Sequence, residues 1–302
     1  MGTKNASAPG PDGISYRLSK VIKDTSLGEE PVNEVAVQLL GGTIPDEWKK
    51  IRVVLIPKSS RDLTVTNNWR LNNLINCVGK LWEKVVVDYL QDADLLHHYQ
   101  FGAVKGRSAL EVVFRAVVKA RRWMDGGGDA ACGFWDVKGG FQNVKKKEVI
   151  ERMGLTEEGR RWRKWITSFM RERSFTVSWD GMDRGVGKTN VGVPQGSPLS
   201  QVMFLIRIAP ILEEMVRRIR WEVGVDIELP SYVDDIHLGT YNHGRRGAGI
   251  QYLDGEGKAI GELLPRGQGT KRVGSREGPP TRGWSGGKVG SMEGRDKKKE
   301  EE

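Results

Sequence analysis

The stretch Ser231-Tyr232-Val233-Asp234-Asp235 decides how the chain is to be read. It stands between two short apolar runs, Leu229–Tyr232 and Ile236–Tyr241, so it reads as a tight turn joining two strands, with a pair of carboxylates at the tip. Adjacent carboxylates repel, and stay ionised cheaply only in water or beside a cation. Taken alone, the dipeptide fits a solvated hairpin turn as well as a metal site. A second acidic strand end changes the balance. The apolar run Ala131–Val137 closes on Trp135-Asp136-Val137, which sets Asp136 where a strand meets a loop. Two strand ends that each present a carboxylate can share Mg²⁺, an ion usually held by one or two carboxylates plus substrate phosphates. Two such ions about 3.5–4 Å apart serve phosphoryl transfer, one activating the attacking oxygen and the other stabilising the leaving one. Spacing cannot establish this, because positions 136 and 234 are 98 residues apart.

Outward from these strand ends, strands and helices mix without strict βαβ alternation, which points to an α+β fold rather than a doubly wound sheet. Apolar periodicity predicts helices over Ile14–Ile22, Val32–Leu40, Val78–Leu90, Leu110–Met124, Lys145–Met153, Glu157–Arg173 and Leu199–Trp221. Ile51–Pro57 reads as a buried strand, and Ser174–Asp180 as a strand paired with Arg184–Val191 across Asp180-Gly181. From Gly244 the character changes. The last 59 residues hold 15 of the 39 glycines and the charge run Lys297–Glu302, too little apolar surface to offset chain entropy, so this tail is expected to be disordered.

The formal charge of +9 favours a polyanionic partner, while leaving a chromatin, ribosomal or membrane-surface protein open. Cys77 and Cys132 form no metal pattern and are expected as buried reduced thiols in an intracellular, non-secreted protein. No apolar run has the length of a membrane span, and Met1 is followed by polar, turn-rich residues instead of a signal peptide.

Seven motifs stand in order along the chain: Asn5–Ile14 (NASAPGPDGI), Trp48–Lys58 (WKKIRVVLIPK), Trp69–Val85 (WRLNNLINCVGKLWEKV), Gln100–Leu110 (QFGAVKGRSAL), Trp135–Val144 (WDVKGGFQNV), Val193–Ser200 (VPQGSPLS) and Tyr232–Asp235 (YVDD). The series resembles that of non-LTR (LINE-type) retrotransposon reverse transcriptases over residues 5–242, and WDVKGGFQNV is most similar to fungal elements. The resemblance implies a right-hand polymerase fold. Fingers are expected over residues 1–128 and an antiparallel-sheet palm over 129–243, with 244–302 as the Gly-rich tail. It also implies template-directed addition of dNTPs to a DNA primer 3′-hydroxyl on an RNA template, with two Mg²⁺ ions for which Mn²⁺ can substitute.

The family roles fall on matching residues. Asp136, Asp234 and Asp235 are the implied metal-binding carboxylates, with the Val137 carbonyl assisting. Phe141 occupies the place of the steric gate that excludes a 2′-hydroxyl, with plain core packing as its other reading. Gln195 and Gly196 resemble residues lining the nucleotide and template. Lys58 and Arg70 resemble the fingers cations that hold the triphosphate, and Lys105 and Arg107 suit nucleic-acid backbone contacts. Each of these four cations also reads as a solvated surface charge. So does the cluster Arg160–Lys164. Arg70-Leu71-Asn72 departs from the usual Arg-Pro-Ile, and Gln142 replaces a common Asp. The family's primer grip, helical thumb and endonuclease find no match in these residues, so the expectation is salt-sensitive duplex binding with little or no primer extension. An RNA-dependent RNA polymerase and a non-catalytic nucleic-acid-binding remnant are the alternatives.

Overall fold

The computed structural model describes residues 8–23, 37, 40–58, 62–65, 68–126, 129–137, 139–179, 182–223 and 226–242. The expected tail and most of the Val32–Leu40 helix lie outside them. The elements in chain order are α1 (Tyr16–Lys23), a 3₁₀ turn (Asp46–Lys49), β1 (Lys50–Pro57), β2 (Trp69–Leu74), α2 (Cys77–Gln91), α3 (Ala109–Asp125), β3 (Asp129–Asp136), α4 (Lys146–Met153), α5 (Glu157–Phe169), β4 (Arg173–Trp179), β5 (Met182–Thr189), α6 (Pro198–Val223), β6 (Asp226–Glu228), β7 (Ser231–Tyr232) and β8 (Asp235–Asn242). Several helix starts have a chemical cause. Asn76, Ser108 and Thr156 accept the backbone N–H three residues on, capping α2, α3 and α5. Ser197 does the same for Ser200 ahead of α6, whose first residue, Pro198, has no N–H to lose.

Two four-stranded sheets result. The first runs β2-β1-β4-β5, with β1 and β4 parallel and the other pairs antiparallel. It mixes strands from both sides of residue 128, joining two sequence-adjacent hairpins through the distant pair β1 and β4. The continuous β-branched run of β1 suggests burial on both faces, but only one is covered: Ile51 and Val53 are buried against Ile75, while Ile56 is exposed. Nothing local announces β2, because Arg70, Asn72 and Asn73 break any strand-like apolar pattern; its pairing with β1 makes it a strand.

The second sheet is antiparallel, β3-β8-β6, with β7 also paired to β8. Trp135, Ile236 and Leu238 of this sheet pack into the main core around α6. From Leu199 to Ala209 that helix is buried almost all round, as a central core helix should be. Each large apolar side chain so buried contributes about 1.5–3 kcal/mol. At the edge of the sheet, Lys119 and Arg115 of α3 pair with Glu228 of β6 at 2.9 and 3.5 Å. Cys77 is a buried free thiol that donates to the Ala8 carbonyl at 4.0 Å, and Cys132's side chain lies outside the described residues. Among the described residues no helix is long and apolar enough to cross a membrane.

Two buried imidazoles, His97 and His237, are each pushed down to about 4 and should make the fold acid-sensitive. Burial, then the charges of His98, Arg152, Arg220 and Arg107, pushes His97 from 6.5 down to about 4. A folded pKa below the unfolded one means stability that is complete above about pH 6.5 and is lost as pH falls through 4. The urea midpoint should therefore fall between those values, and His97→Gln should flatten part of the slope. An unchanged profile in His97→Gln would remove His97 as a cause.

Candidate active site

The two acidic strand ends meet. In the antiparallel register of β3 and β8, Asp136 is the partner of Asp235, so their side chains leave the same face at the same end of the sheet. The turn completes the arrangement: Tyr232 pairs with Asp235, leaving Val233 and Asp234 as a two-residue connection. The Val137 N–H donates to the Asp234 carbonyl at 2.9 Å, tying the turn to the loop that follows Asp136. Val233 sits at φ 57°, where a β-branched residue is a steric outlier at a cost on the order of 1–3 kcal/mol.

Electrostatics record the crowding. Burial first, then the charges of Asp235 and Asp136, raises the Asp234 carboxyl above its ordinary value. Burial and the charge of Asp136 raise Asp235. Among the described residues no group of three or more His, Cys, Asp or Glu side chains is placed to hold a metal ion by itself. Instead, Asp136, Asp234 and Asp235 stand at one sheet end, where the charge of Asp136 adds to burial in raising the other two. That all-oxygen donor set fits a hard divalent cation completed by substrate phosphates.

Phe141 stacks on Phe204 of α6, centroids 5.4 Å apart, and is only partly buried. One side of the ring packs on the core, and some of its surface stays open. Its carbonyl accepts the Val193 N–H at 2.9 Å, which brings the VPQGSP loop alongside. The loop continues onto β2: the Asn73 N–H donates to the Gln195 carbonyl at 3.3 Å. Gly196 lies at φ +107°, and a Cβ there would stand 2.9 Å from the Asn73 carbonyl oxygen. Only glycine fits.

β2 carries Arg70, and the β1–β2 ladder extends to Lys58, whose N–H donates to the Asn68 carbonyl at 2.9 Å. Lys58 and Arg70 therefore emerge on one hairpin face as diagonal neighbours. These bonds thus join the Phe141 segment, the Gln195–Gly196 loop and the hairpin that carries Arg70 and Lys58.

Lys105 is exposed, its backbone N–H held by Gln91 at 2.7 Å. Arg107 is turned inward: it donates to the carbonyls of His98 and Gln100 and lies 4.8 Å over the Phe101 ring.

Sequence reasoning missed the support beneath the loop. Ser197 donates to Glu83 of α2, a buried carboxyl that burial pushes up and that Ser197 and Arg173 pull down. Arg173, buried and pushed down to about 10, donates to the Phe169 carbonyl at 2.8 Å. Glu83 and Ser197 both stand in quoted motifs, but nothing in their spacing marks them as partners.

Residues 56–255 match the family model described as reverse transcriptase (RNA-dependent DNA polymerase). The match omits Asn5–Ile14 and runs 13 residues beyond Asn242. The chain is 25% identical over 203 residues to the RNA-directed DNA polymerase from mobile element jockey of Drosophila melanogaster, covering 66% of this chain and 22% of that protein. Against the Pol polyprotein of retrotransposable element R2 from Popillia japonica it is 26% identical over 246 residues, covering 77% and 32%. It thus spans about a fifth to a third of these relatives. Solved telomerases share the fold. That of Candida tropicalis superposes with a TM-score of 0.53 at 13% identity, over 82% of this chain and 44% of its own. That of Candida albicans gives 0.55 at 11%, over 85% and 48%. With its two sheets, its paired acidic strand ends and a family match over two thirds of its length, the chain belongs to the reverse transcriptase (RNA-dependent DNA polymerase) family.

Proposed function

We propose that the sheet end formed by Asp136, Asp234 and Asp235 is a nucleotidyl-transfer centre that adds deoxynucleotides to a primer 3′-hydroxyl on an RNA template. The observation that carries this reading is the Asp136–Asp235 register, which unites carboxylates 99 residues apart beside the Asp234 turn. When bound, Mg²⁺ would activate the attacking hydroxyl and neutralise charge developing on the phosphates. The chain's own residues position the reactants. The three aspartates hold the cations, with the Val137 carbonyl at the same sheet end. Lys58 and Arg70 grip the triphosphate from the hairpin face, Arg in a fork and Lys as a point charge. Phe141 lies beneath the sugar and crowds a 2′-hydroxyl. Gln195 and Gly196 line the nucleotide and template, and Lys105 supplies a cation for the nucleic-acid backbone.

Single-nucleotide incorporation with excess protein on an RNA template tests the centre. Addition should require Mg²⁺ or Mn²⁺ and fall by at least about a hundredfold in Asp136→Ala and Asp234→Ala, several kcal/mol in the transition state. Undiminished addition by Asp234→Ala would sink the assignment.

The sugar contact has its own readout. Phe141→Ala should raise ribonucleotide relative to deoxynucleotide incorporation, because the discrimination is steric. A constant ratio would leave Phe141 as core alone.

Burial raises Asp234 and Asp235, the neighbouring carboxylate charges raise them further, and the repulsive part predicts a trade-off. Without divalent ions, Asp234→Asn should melt at a higher temperature than wild type, since one of three crowded charges is gone. Added Mg²⁺ should stabilise wild type and leave Asp234→Asn nearly unmoved. Equal stabilisation of both proteins would count against a cation site at Asp234.

A further inference from the structure

We propose that the segment Tyr99–Gly102 is a strut that holds the Val233-Asp234 turn in place, with Gly102 and Arg107 as positioning residues for the carboxylates. The proposal rests on the nucleotidyl-transfer reading of that turn. β7 has β8 along one edge; along its other edge lies this segment. The Phe101 N–H donates to the Ser231 carbonyl at 2.9 Å, and the Ser231 N–H donates to the Tyr99 carbonyl at 2.8 Å. The two bonds add one isolated parallel bridge, Gln100 to Ser231, two residues before the strained Val233.

Gly102 then meets the turn itself. A Cβ at this position would stand 2.5 Å from the Val233 nitrogen, 2.7 Å from its Cγ2 and 2.8 Å from the Tyr232 carbonyl carbon. Two of those three atoms are backbone, which cannot swing aside. Any larger residue must push the turn, and the Asp234 that follows it, out of position.

The strut is anchored away from the site. The Gln100 side chain, 1% exposed, donates to the Leu205 carbonyl of α6 at 2.8 Å and accepts the His97 N–H at 2.7 Å. The Tyr99 hydroxyl donates to the Ile227 carbonyl of β6 at 3.1 Å. Arg107 closes the loop with its bonds to the His98 and Gln100 carbonyls and its stacking over Phe101. A guanidinium engaged by two internal carbonyls acts on the turn, where the motif suggests a nucleic-acid phosphate. Strain at Val233 persists because this framework leaves the turn nowhere to relax.

The experiment uses the full chain with poly(rA)·oligo(dT), dTTP and Mn²⁺. It reads single-turnover addition, bound Mn²⁺ by electron paramagnetic resonance, and primer–template affinity across salt. Gly102→Ala should slow addition on the order of a hundredfold, the scale of a displacement of about 1 Å. It should also weaken Mn²⁺ binding, with affinity and salt slope for the primer–template unchanged. Adding Val233→Gly, which removes the Cγ2 contact and the strain, should restore part of both. Arg107→Lys should lose rate and Mn²⁺ affinity with the salt slope unchanged. A phosphate contact would instead show in Arg107→Ala as a salt slope smaller by about one, with Mn²⁺ affinity intact. If Gly102→Ala fails the thermal-melt check for folding, Arg107→Lys decides alone. Wild-type Mn²⁺ binding in Gly102→Ala and Arg107→Lys, with Asp234→Ala abolishing it, overturns the strut and spares the centre. Retention in Asp234→Ala as well overturns the nucleotidyl-transfer reading beneath it. Should addition be too slow to time, Mn²⁺ binding by itself separates these outcomes.

Discussion

Three carboxylates held together at one sheet end, against their own repulsion, are the constraint on which the rest of this molecule depends. Asp136 and Asp235 face each other across a ladder whose spacing is set by backbone hydrogen bonds, so the charges cannot drift apart without unzipping strands. The ladder in turn is pinned by Trp135, Ile236 and Leu238, which join a core built around α6. Burial on that scale, at about 1.5–3 kcal/mol per large side chain, far outweighs the repulsion among partly solvated carboxylates. The site is thus unfavourable locally and secured by packing behind it, an arrangement in which a bound cation and phosphates would relieve what the fold imposes.

The same logic operates at the turn. A β-branched residue at φ 57° is held by an additional chain segment, and the approach is so close that position 102 admits no side chain. Gly196 does comparable work elsewhere in the site, letting the VPQGSP loop seat against β2. Both glycines permit backbone to approach backbone, which fixes geometry more rigidly than contacts between long side chains.

Beneath that loop the chain uses buried charge. Glu83 on α2, Ser197 at the start of α6 and Arg173 on β4 come from three separate segments and stabilise one another in the interior. The Ser197–Glu83 hydrogen bond ties α2 to the start of α6, and losing the serine would leave a buried carboxyl short of a donor, at a cost of about 1–3 kcal/mol. It therefore acts as a registration device. The hairpin bearing Lys58 and Arg70 shares a sheet with β4, so the alignment of α2, α6 and β4 sets where the hairpin cations stand relative to the aspartates.

Much of this was legible in the sequence, for reasons that can be named. Asp136, Asp234, Phe141, Gln195 and Gly196 stand in motifs whose order and local chemistry carry the family's identity, and the helices and most strands follow from apolar periodicity and caps. Residues with a period or a local partner announce themselves. Gly102, Gln100, Glu83 and Arg173 do not, because their partners lie far along the chain and no periodicity connects them. Only the tertiary structure paired Asp136 with Asp235, turned Arg107 inward, made a strand of β2 and left Phe141 half in the core. The sequence by itself determined which residues are present and which local forms they prefer. Which carboxylates meet, and which cations turn inward, was decided by long-range pairing, since contact between distant segments depends on packing that no local pattern encodes.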